Sequence, residues 1–154
     1  MTERIDTASR LIPAPPDRLY RAFLDPQALV RWLPPDGMTG RIQAFEPRPG
    51  GRFDLVLAYD GAGGGKSSQG EDVVCGRFVE LVEDRRIVQL VAFDAPDPAF
   101  AGEMRMTWRF DAEPGGTRVT VRAENVPPGI SPEDHQAGMD STLANLAAFA
   151  ERGG

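Results

Sequence analysis

Residues 131–152 read SPEDHQAGMDSTLANLAAFAER, and the fold turns on this stretch. His135, Met139, Leu143, Leu146 and Ala150 recur at steps of three and four, with Thr142 and Phe149 beside them, which draws one stripe along a helix. Ser131 and Asp134 make a capping pair, Pro132 takes the first helical position, and Gly153-Gly154 ends the run. No other segment carries so long a helical pattern.

Working outward, six strand patterns precede this helix, at residues 39–46, 52–59, 71–82, 86–93, 103–111 and 117–124. Phe53, Leu55, Leu57 and Tyr59 alternate onto one face and Asp54 onto the other. Met104, Met106, Trp108 and Phe110 alternate against Arg105, Thr107 and Arg109, and Val119 and Val121 against Arg118, Thr120 and Arg122. Such alternation predicts an antiparallel sheet with one wet face. Glu83-Asp84 and Pro114-Gly115-Gly116 read as tight turns, 61–68 and 95–102 as loops. At the start, residues 4–12 read as a further strand. Pro15 and Pro16 then open a short helix carrying Leu19, Ala22 and Phe23. Asp25-Pro26 caps a second with Leu29, Val30, Trp32 and Leu33, and Pro34-Pro35 stops it. The expectation is one α+β domain over residues 1–154: a curved antiparallel sheet of about seven strands wrapped on a long C-terminal helix, with two short helices after the first strand.

Composition narrows the function classes. The net charge of −6 lacks the basic footprint that phosphate backbones or anionic lipid require, so neither nucleic acid nor membrane is an expected partner. No apolar run is long enough to span a bilayer, and the start lacks the apolar stretch of a secretory signal, which points to the cytoplasm. One cysteine, Cys75, and one histidine, His135, exclude zinc sites built from those residues. No ligand spacing suggests another metal, and no motif calls for a cofactor.

Three features invite chemistry. The tract Gly61-Ala62-Gly63-Gly64-Gly65-Lys66-Ser67 resembles a phosphate loop, but Asp60 stands where the first glycine belongs and a strand follows, so it reads as a plain hairpin loop. Cys75 and His135 could pair as nucleophile and base, yet no third group at recognisable spacing orients them, and a strand cysteine reads as a small buried hydrophobe. His135 itself reads as a group at a cavity rim, available for a hydrogen bond. Arg105, Arg109, Arg118 and Arg122 read as a solvated sheet face.

The order of strand, two short helices, six strands and long helix resembles the helix-grip fold of the START-like (SRPBCC) superfamily. Ala14-Pro15-Pro16-Asp17-Arg18-Leu19-Tyr20-Arg21-Ala22-Phe23 is similar to its first-helix entry, and Asp25-Pro26 with Arg31-Trp32-Leu33-Pro34-Pro35 to its second-helix signature. Arg48-Pro49-Gly50-Gly51-Arg52-Phe53 resembles its characteristic turn, and Gly138-Met139 with Leu143 and Leu146 its last helix, Met139 replacing the common tryptophan. Together these resemble the heat-shock-protein-90 ATPase activator-like branch. Alternation alone would make the aromatic and methionine set plain core. The resemblance implies instead a hydrophobic cavity between sheet and C-terminal helix. Its expected ligand-binding residues are Trp32, Phe53, Leu55, Leu57, Tyr59, Phe93, Met104, Met106, Trp108, His135, Met139 and Leu143. The expected function is binding of a small hydrophobic or amphipathic molecule, with no catalytic residue assigned. A cyclase, aromatase or hydrolase using the same cavity is the alternative. A chaperone ATPase partner ranks last, because the better-known eukaryotic activators carry an additional N-terminal domain that 154 residues do not accommodate. Flat strands could also pair two chains into a homodimer.

Overall fold

The computed structural model describes residues 4–59, 70–95 and 97–152. The glycine tract 61–68, Pro96 and the Gly153-Gly154 stop therefore lie outside the described residues. Strand β1 (Ile5–Ile12) leads into α1 (Pro16–Leu24) and α2 (Pro26–Trp32). Six strands follow: β2 (Met38–Phe45), β3 (Arg52–Tyr59), β4 (Glu71–Val82), β5 (Arg86–Phe93), β6 (Met104–Glu113) and β7 (Gly116–Glu124). Helix α3 (Pro132–Glu151) comes last. All seven strands make one antiparallel sheet in the order β1-β7-β6-β5-β4-β3-β2. This is the α+β helix-grip architecture that the sequence predicts.

The local causes are visible residue by residue. Asp25 Oδ1 accepts from the Gln27 amide at 3.0 Å, so one residue ends α1 and caps α2. Ser131 Oγ accepts from the Asp134 amide at 3.0 Å, and Glu133 and Asp134 place negative charge at the N-terminal end of α3. The β6–β7 turn needs Gly116, where φ is 149° and a Cβ would come within 2.0 Å of the Ile12 carbonyl oxygen. Register shifts at Ile42/Ala44 in β2 and Phe78/Glu80 in β4 bend the sheet locally. The 95–102 segment, expected as a plain loop, contains a 3-10 turn at Pro98–Phe100 capped by Asp97.

The concave face receives the helices. Trp32, Phe23, Phe78, Ile12, Leu19, Leu29, Leu143 and Leu146 are among the largest fully buried side chains. Phe23, Trp32 and Trp108 pack with ring centres 5.2–5.8 Å apart. Side chains of α3 tie down the chain after α2. Thr142 Oγ1 donates to the Leu33 carbonyl at 2.8 Å, and Asn145 Nδ2 donates to that of Pro34 at 3.0 Å. The Arg18 guanidinium donates to the Ala150 carbonyl, which fixes α1 against the far end of α3.

Two outward positions differ from expectation. Asp54 is only 9% exposed and pairs with Arg52, because the neighbouring strands and that guanidinium cover it. Cys75, expected to be buried, is exposed on the outer face of β4, since Val74 takes the inward position.

Candidate functional site

Strand parity and the path of α3 leave a cavity of about 570 Å³ between the sheet and the first half of the helix. Its sheet wall carries Phe53, Leu55, Leu57 and Tyr59 from β3, Phe93 from β5, and Met104, Met106 and Trp108 from β6. His135 and Met139 of α3 form the roof with Gly138 and Thr142. Each of these strands contributes alternate residues, so one pleated face supplies the whole wall. Leu57, Tyr59, Phe93, Met106 and His135 are half-buried, whereas Trp108 and Met139 are buried.

Trp32 and Leu143 do not line this space. Trp32 is 0% exposed, its indole N–H donates to the Ala22 carbonyl at 3.1 Å, and its ring meets that of Trp108 edge to face. Leu143 is 1% exposed and belongs to the packed core. Helical spacing places both on the inner side, but packing closes over them before the cavity begins.

Several wall residues had no functional reading in the sequence. Asp72 and Gln89 stand on inward parity, Asp72 in step with Val74 and Gln89 in step with Val91 and Phe93. A polar residue on the apolar parity was the signal available. Tyr59 donates its hydroxyl to Asp72 at 3.0 Å. Gln89 and Trp108 are 3% and 4% exposed, and their side-chain N–H groups have no hydrogen-bond partner among the described residues.

His135 enters a charged cluster at the helix start. Its Nδ1 lies 2.7 Å from Asp6 Oδ2, and Arg4 reaches the same oxygen at 2.8 Å while also donating to the Ile130 carbonyl. Burial opposes ionisation of Asp6, but the hydrogen bonds from Arg4 and His135 outweigh it and hold its carboxyl below the usual range. With Asp6 ionised, Nδ1–H is the donor, which leaves Nε2 as the second ring position. Cys75 takes no part: it sits on the opposite face of the sheet, and partial desolvation, then Asp54 and Asp94, push its thiol up. No group of three or more metal-ligating side chains occurs among the described residues. No helix among them is long and apolar enough to cross a membrane.

A second concavity of about 680 Å³ lies elsewhere, around the β4–β5 turn, bordered by Asp17, Glu83, Asp84, Arg85, Arg86 and Asp111. Its charged border suits solvent. The cavity under α3 is the one with an apolar wall and few polar groups, which is the usual make-up of a small-molecule site.

Solved structures share this fold. Protein CV1439 from Chromobacterium violaceum is 33% identical, with a TM-score of 0.85 and 96% of each chain covered. MLL2253 from Mesorhizobium loti, 21% identical, superposes with a TM-score of 0.72 over 97% of this chain and 98% of that one. NE0264 from Nitrosomonas europaea, 19% identical, also gives 0.72, over 97% and 96%. The last two show the fold alone. No curated protein matches the sequence. The profile of the Activator of Hsp90 ATPase homolog 1-like protein family matches residues 13–151, and the chain belongs to that family, within the helix-grip SRPBCC superfamily.

Proposed function

We propose that the protein binds a small apolar or amphipathic molecule between the sheet and the first half of α3. The observation that carries this reading is the cavity itself, about 570 Å³ walled mainly by Phe, Leu, Met and Val side chains. That volume falls within the range of pockets that enclose small ligands. Binding would draw on burial, about 0.8 kcal/mol for each methylene moved out of water. Native mass spectrometry of the purified protein, with uptake of the neutral dye N-phenyl-1-naphthylamine, tests it. Saturable dye uptake, reduced in Met139→Trp, whose larger ring would occupy the roof, is expected. Absence of both a co-purified mass and dye uptake would reject the reading.

The Asp6–His135 pair favours a second reading, in which the cavity holds a substrate and His135 moves a proton. Asp6 orients the ring through Nδ1, the arrangement that a general base requires. Turnover of an ester or polyketide-like substrate that disappears in His135→Ala would support it. A broad substrate panel without turnover would remove it.

A further inference from the structure

We propose that Gln89 and Trp108 form a receptor for a neutral carbonyl oxygen at the floor of the cavity. The assignment rests on the ligand-binding reading above and adds the chemical class of the ligand. Gln89 lies opposite Met106 in the β5–β6 register, and Trp108 is two residues further along β6 on the same face. They are therefore diagonal neighbours, about 7 Å apart at the backbone. The two residues place an amide and an indole donor on one face of neighbouring strands. Both donor nitrogens are buried without an acceptor among the described residues, so a carbonyl oxygen reaches them once the two side chains turn toward the cavity.

The fold supplies partners where a tryptophan is purely structural: Trp32 gives its N–H to Ala22. Trp108, packed edge to face with Trp32, has no such partner. Two unpaired donors on neighbouring strands are costly to keep in a core unless something accepts from them. A carbonyl oxygen has two lone pairs and can accept from both. The terminal torsion of a glutamine is soft, so the Gln89 amide can turn its N–H toward the cavity without moving the strand.

The surroundings select a neutral acceptor over an anion. Among the described residues the wall holds no lysine or arginine, and its histidine, His135, is engaged by Asp6. Arg4, near the roof, is engaged by Asp6 and Ile130. A carboxylate at the floor would be buried without a counter-charge. The ligand class is thus an apolar ketone, ester, lactone or amide that enters carbonyl-first.

Three probes of one skeleton test this by calorimetry: diphenylmethane, benzophenone and diphenylacetate. A ketone is better hydrated than its hydrocarbon, so it prefers the protein only where donors await it. Wild type is expected to bind benzophenone about fivefold more tightly than diphenylmethane, the factor that one hydrogen bond supports. Diphenylacetate is expected to bind more weakly than the ketone. Gln89→Leu, which removes one unpaired donor and should fold at least as well, is expected to erase or invert the preference, as is Trp108→Phe. Benzophenone is also expected to move the Trp108 indole and Gln89 amide proton resonances downfield, and diphenylmethane is not.

Equal or tighter binding of diphenylmethane to wild type overturns the carbonyl receptor while leaving the cavity reading intact. So does tighter binding of diphenylacetate, or a preference that survives in folded Gln89→Leu. If wild type binds none of the three, both proposals fall. Should Trp108→Phe not fold, Gln89→Leu decides alone.

Discussion

The two halves of α3 lie over the same sheet and do opposite things. From Leu143 onward the helix is packed: Leu143, Leu146, Ala147 and Ala150 are buried, and Arg18 holds the Ala150 carbonyl. Before Leu143 it roofs a hollow, with His135, Gly138, Met139 and Thr142 facing open volume. One amphipathic period serves both halves. The difference comes from what the rest of the chain brings up from below. α1 and α2 fill the concave face under the second half, and among the described residues no further helix reaches under the first. A helix can therefore be read for its inward stripe without revealing whether that stripe meets side chains or space.

Deleting volume separates the halves most sharply. Leu146→Ala in the packed half should cost about 3 kcal/mol, within the usual range for a fully buried leucine. Met139→Ala should cost about 1–2 kcal/mol, since part of its surface already faces a cavity and little new void is created. Urea unfolding of both variants measures the gap, and equal costs would break the distinction.

The two tryptophans give the next largest contrast. Trp32→Phe strands the Ala22 carbonyl and should lose about 1–3 kcal/mol beyond the ring-volume cost, whereas Trp108→Phe removes a donor that has no partner. Comparable losses would mean that Trp108 has found an acceptor. Gly138→Ala should stabilise by about 0.5–1 kcal/mol from helix propensity, because its new Cβ meets no atom within 4 Å. A loss of stability there would mean the roof is tighter than described.

The smallest expected effect concerns pH. The Asp6 carboxyl is held below its ordinary value of 3.8, so its contribution is present above that pH and fades as pH falls through the lower folded value. The stability gap between wild type and Asp6→Asn should thus close in acid. A gap that widens on acidification would reverse the sign of the coupling.

Element order, the inward stripe of β3 and that of β6 were legible because a half-wet strand advertises its period of two. Pro15-Pro16, Asp25-Pro26 and Ser131-Pro132 marked the helix starts for equally local reasons. What escaped was everything that depends on register. Asp6 reaches His135 across 129 residues, and Gln89 lies beside Trp108 only once β5 and β6 are aligned. Asp54 differs because neighbouring strands and Arg52 cover it, and Cys75 because the parity of β4 turns Val74 inward and the cysteine outward. Trp32 and Leu143 belong to the right face but to its filled portion, a distinction of packing that no spacing encodes.

The strand order has a consequence for synthesis. β2 to β7 can assemble as successive hairpins as they leave the ribosome, but β1, made first, pairs with β7, so it must wait through about a hundred residues of translation. During that interval the concave side of the nascent meander lacks the α3 part of its cover, because α3 emerges later still. The growing chain therefore passes through a stage with a sticky, unfinished face, and this is the stage at which holdase chaperones would matter most to its yield.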